Sequence, residues 1–62
     1  MEMHTQDYLK KALLETQERV RDFKVYSSKM EDKELQEFFR EYSLSEGMQA
    51  RKLIDYLESA KN

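Results

Sequence analysis

Sixty-two residues allow a single domain. A chain this short buries only about 60% of its unfolded surface and is marginal alone, and small scaffolds usually add a disulfide, a metal or a partner subunit. There is no cysteine, which excludes disulfides and thiolate metal sites. Charged residues make up 39% of the chain for a net charge of −2, with the signs interspersed. That is the pattern of a solvated helical surface rather than of a basic nucleic-acid footprint. No apolar run reaches the length of a membrane span, and no hydrophobic stretch follows MEMHTQDYLKK. The expectation is a soluble, cytoplasmic, all-α protein with neither membrane nor nucleic acid as partner.

The chain has no proline, and Gly47 is its one glycine. Helix formers dominate, and no stretch alternates with period two. The pattern predicts one helical-hairpin domain over 1–62: a helix over about 5–28, a turn over about 29–32 and a helix over about 33–60. Thr5 is the expected N-cap of the first helix, with Asp7 in the first turn, where the helix dipole favours negative charge. Leu9, Leu13, Thr16, Val20, Phe23, Ser27 and Met30 step by four and three, the spacing of a bundle seam. Asp7–Lys11 and Glu15–Arg19 are spaced as (i, i+4) ion pairs.

The break falls in SSKMEDKE, residues 27–34, where Asp32 is a candidate cap for the second helix with Glu34 in its first turn. One uninterrupted helix, paired as a coiled coil, is the rival. In the second helix Leu35, Phe38, Phe39, Tyr42, Leu53, Tyr56, Leu57 and Ala60 share an arc wider than a two-stranded seam needs. A wide arc on each of two helices suits a four-helix bundle. A lone hairpin cannot cover both arcs, so the expectation is a C2 homodimer. Its core draws Leu9, Leu13, Val20 and Phe23 from the first helix, and Leu35, Phe38, Phe39, Tyr42, Leu53, Tyr56 and Leu57 from the second. Leu14, Val25, Leu44 and Met48 fall on the backs of the helices as scattered exposed apolar residues.

Two polar residues interrupt the second arc: Glu46 near its middle and Gln49 inside it. A hairpin turning near residue 31 sets Glu46 opposite Glu15 and Thr16. A buried carboxylate costs several kcal/mol unless it is paired, hydrogen-bonded, metal-bound or protonated. An ion pair between Arg19 and Glu46, within or between hairpins, meets that need without metal. Gln49 is then a core amide that fixes register. The tyrosines read as packing groups with rim hydroxyls, and His4 as an exposed tail residue. With no cysteine, one glycine and one terminal histidine, the chain offers no nucleophilic triad and no phosphate loop.

LQEFFREYSLSEGMQARKLIDYL, residues 35–57, resembles the second helix of a ferritin-like or rubrerythrin-like bundle. There an aromatic-rich run leads into Glu-x-x-His; here the run leads into Glu46-Gly47-Met48-Gln49. LLETQERVRDFKVY, residues 13–26, is similar in outline to the preceding helix of that family, which carries a ligand glutamate. The resemblance implies half of a four-helix unit completed by dimerisation, with Glu46, Glu15 and Gln49 as its candidate metal ligands and iron or manganese as its metal. Glutamine in place of histidine departs from the family, since an amide oxygen substitutes poorly for imidazole on iron. Three functions are therefore compatible with the sequence. The first is a non-enzymatic structural or protein-interaction module, a homodimer without a redox centre or cofactor. The second is a metal-binding bundle using Glu46, and the third an RNA-binding hairpin dimer.

Overall fold

Two antiparallel helices joined by a three-residue turn make up residues 3–59, the part of the chain that a computed structural model describes. Helix α1 runs Thr5–Lys29 and α2 runs Lys33–Ser59. Ala60, assigned to the second arc, lies outside the described residues. No helix among them is long and apolar enough to cross a membrane.

The cap of α1 differs from expectation. Thr5 is the first helical residue, and His4 is the N-cap, with extended backbone. The His4 N–H donates to Asp7 Oδ2 at 3.0 Å, and the Asp7 N–H donates back to the His4 carbonyl at 2.9 Å. The acid three residues along satisfies the cap's own N–H, which is the carboxylate half of a capping box. Asp7 is thereby drawn to His4 rather than to Lys11, and Lys11 pairs with Glu15 at 3.1 Å. At the other end Asp32 Oδ1 accepts from the Glu34 N–H at 2.9 Å, the role its position implied.

The turn contains neither glycine nor a residue of positive φ. It is closed by side chains reaching between the helix ends. Ser27 Oγ donates to the Gln36 carbonyl at 2.7 Å, and Gln36 Nε2 donates to the Met30 carbonyl at 2.6 Å. The Met30 carbonyl at the end of α1 thus finds a partner without a left-handed cap.

The line of α1 that meets α2 is the one its 4-3 spacing marks: every residue from Leu9 to Met30 in that series is buried or half-buried. The line of α2 is rotated from the one expected. Ser43 (1% exposed) and Ala50 (7%) are its enclosed residues, opposite Thr16 (4%). Gln36, Phe39, Glu46, Leu53, Ile54 and Leu57 flank them, half-buried. Leu35, Phe38, Tyr42 and Tyr56 are exposed, to one side of the contact. Close approach of two helices selects small side chains on the contact line, and the bulky ones move to its edge. Ser43 Oγ donates to the Val20 carbonyl at 2.7 Å across this contact.

Gly47 stands beside the same line, yet a Cβ built there meets nothing within 4 Å. Its lack of a side chain serves no close approach within the hairpin. Gly47→Ala is expected to stabilise by about 0.5–1 kcal/mol, raising the thermal midpoint by about 2–8 °C for a chain of this size. Thermal melts followed by circular dichroism at equal chain concentration check this.

The two helices form a slab of 45 × 24 × 11 Å, one helix thick. Its radius of gyration is 14.4 Å. A compact chain of this length has about 10.6 Å, and one of twice the length about 13.7 Å. The accessible surface is 5315 Å², against about 4,300 Å² for a compact monomer of this mass.

Candidate functional site

The broad faces of the slab differ in chemistry. One carries five aromatic rings in mutual contact near the turn: Phe23 and Tyr26 from α1 with Phe38, Phe39 and Tyr42 from α2. Phe23 and Tyr42 have ring centroids 4.5 Å apart across the hairpin. Tyr26 meets Phe39 edge-on at 5.9 Å, and Phe38 meets Tyr42 edge-on at 5.8 Å. Such offset and edge-on pairs add to the area they bury. Phe38, Tyr26 and Tyr42 nonetheless keep 54%, 44% and 41% of their surface in water. Tyr8 and Tyr56 extend the same face toward the open end and are also exposed.

The opposite face presents charge. By helical phase it gathers Lys10, Lys24, Lys33, Arg40 and Arg51 with Glu37 and Asp55, all exposed. Arg40 and Arg51 pair with Glu37 at 3.4 Å and Asp55 at 3.3 Å along their own helix. Exposed pairs of this kind contribute little to stability.

At mid-length, on the edge of the aromatic face, Arg19 Nε donates to Glu46 Oε1. Thr16 steers the guanidinium, its Oγ1 accepting from Arg19 Nη2 at 3.3 Å while donating to the Ala12 carbonyl at 2.7 Å. The Glu46 side chain is 15% exposed, while Arg19 is more open to water. The hydrogen bond to Glu46 raises the Arg19 pKa above its ordinary value, against a smaller opposing effect of burial. Glu46 meets Arg19, and the contacts of Val20 with Ser43 and of Ser27 with Gln36 set a register one to two residues from that of a turn near residue 31.

Of the three candidate metal ligands, the hairpin brings none together. Glu46 is held by Arg19, Glu15 pairs with Lys11 along its own helix, and Gln49 is exposed beyond the contact line. Among the described residues no three His, Cys, Asp or Glu side chains cluster as a metal site. A guanidinium lies where a cation would have to sit, and the remaining donors are one carboxylate and an amide. The residues of one hairpin do not fit an iron or manganese centre.

Ser43, Ala50 and Gln36 are the contact residues that apolar patterning misses. Their signal is a strict seven-residue repeat, Gln36-Ser43-Ala50-Leu57. No family model matches the chain, and neither does a curated protein or a solved structure.

Proposed function

We propose that the protein is a small non-enzymatic structural or interaction module whose working unit is two hairpins stacked through their aromatic faces into a four-helix bundle. The observation that carries this reading is the slab itself. Domains consist of at least two packed layers, and here one layer bears a row of half-exposed rings on one side only. Its surface exceeds that of a compact monomer by about 1,000 Å², close to the roughly 800 Å² each partner gives to a stable interface. A second copy supplies the missing layer from the same sequence.

The reading keeps the architecture implied by the ferritin-like resemblance and leaves out its redox centre. Glu46 and Gln49 stand at the Glu-x-x-His spacing, but the carboxylate is neutralised by Arg19 and no histidine is near. His4 caps the far end of α1. Catalysis has no assigned residue, and the outer charged faces remain for a further protein partner.

Sedimentation equilibrium over a range of concentrations tests the reading. The expected result is a species of twice the 7.6 kDa chain mass, with helix content and melting temperature falling together on dilution. A folded single chain whose melt is independent of concentration refutes it.

A further inference from the structure

Two slabs can stack face to face about a dyad along the helices, turns at the same end, or about a dyad across them, turns at opposite ends. Resting on the proposed dimer, we infer that the first holds: α1 of each copy lies on α2 of the other, and the two Arg19–Glu46 pairs close into one ring of alternating charge.

Val20 stands against Ser43 and Ser27 against Gln36, so each step up α1 is a step down α2. Carried along, this sets Tyr8 level with Tyr56, Glu15 with Gln49, and Tyr26 with Phe38, to within a residue. A dyad along the helices allows no slide between the copies. Heights within the hairpin therefore become heights across the interface. Tyr8 then meets the partner's Tyr56, and Tyr26 meets the partner's Phe38. Glu15 reaches the amide of the partner's Gln49, and Asp22 the hydroxyl of the partner's Tyr42. Arg19, which already holds its own Glu46, faces the partner's Glu46.

That contact gives Gln49 a partner, although the single hairpin leaves it exposed. It also gives the open side of Arg19, exposed in the hairpin, a second carboxylate. Interfaces are built from such complementary juxtapositions.

The crossed dyad lays α1 on α1 and α2 on α2. Its best register pairs Leu35 with the partner's Tyr56 and Phe38 with the partner's Leu53. The same register sets Glu15 against the partner's Asp22 and brings Glu46 within a residue of its own copy. Acids then face acids on both helices. The reverse faces carry arginines already paired along their own helix, Arg40 with Glu37 and Arg51 with Asp55, and no row of rings for a second layer to cover.

The absence of cysteine from the chain permits a direct test. Glu31→Cys in the exposed turn, carrying a nitroxide, gives one label per copy, and pulsed electron spin resonance reads the distance between copies. Same-end turns put the labels within about 25 Å, two layers being about 10 Å apart. A distance near the 45 Å length of the slab overturns the inferred orientation and leaves the dimer intact. Absence of any inter-label distance, with single-chain mass in sedimentation, overturns the dimer and the orientation together. Lys29→Cys, on the last turn of α1, is expected to give the same short distance, and a long one there counts equally against the arrangement.

Discussion

Phe38→Glu converts the two-chain species to single chains at concentrations where the parent is paired. In one hairpin Phe38 is 54% exposed and its ring meets those of Phe39 and Tyr42 on its own helix, so the substitution removes little from the contact between the two helices. In the stacked bundle it buries two carboxylates among aromatic rings. An ionised group taken out of water without a partner costs several kcal/mol, and each 1.4 kcal/mol is a factor of ten in association. A weakening of at least about a hundredfold is expected, read by sedimentation or by the concentration dependence of the melt. Leu44 provides the control. It is exposed to the same 54% but turns toward the charged side, so Leu44→Glu should leave both mass and melt unchanged. Equal responses of the two variants would mean that the aromatic face is ordinary surface, and the proposed bundle would fall with it.

The contrast between Phe38 and Leu44 also marks what the sequence can and cannot convey. In α1 a single partner, α2, selects a single line, and the 4-3 spacing from Leu9 to Met30 identifies it residue by residue. Helix α2 carries apolar side chains over a wider arc, and the largest of them lie on the side away from the close contact. Apolar periodicity weights a helix face by bulk, so it points toward Phe38, Tyr42 and Tyr56. The contact with α1 is made instead where side chains are small, at Ser43 and Ala50, and hydrophobicity gives no weight to a serine. Gln49 was drawn into the contact by the same rotation. Asp32 was legible as a cap because its side chain acts on its own neighbours. The His4 cap was not, since Thr5 has the better intrinsic preference and only the reach of Asp7 back to His4 decides between them. The ion pair was legible as Arg19 with Glu46, because a carboxylate in an apolar arc needs a counter-charge and Arg19 is the arginine within a turn of its height.

Ser43→Leu is expected to be the most damaging single change within one hairpin. Ser43 is 1% exposed, and its hydroxyl bonds the Val20 carbonyl at 2.7 Å across the contact. Leucine at that position has no void to enter. It must push the helices apart, with a cost of about 1–3 kcal/mol for overpacking and about 1 kcal/mol more for the lost hydrogen bond. A domain of this size has a total stability of roughly 3–9 kcal/mol, so the loss is a large fraction of the whole. At about 4–8 °C per kcal/mol the midpoint should fall by 10 °C or more. Ser43→Ala separates the two causes, since it removes the hydrogen bond and leaves the spacing unchanged. It should cost only about 1 kcal/mol, because the Val20 carbonyl keeps its place in the hydrogen-bond ladder of α1. If alanine proves as harmful as leucine, the hydroxyl matters more than the closeness of the helices. If leucine melts at or above the parent, the helices are not in tight contact at Ser43, and the rotated contact line of α2 is wrong. Gly47, four residues further on, should respond to added bulk with the opposite sign, because its surroundings are open where those of Ser43 are closed.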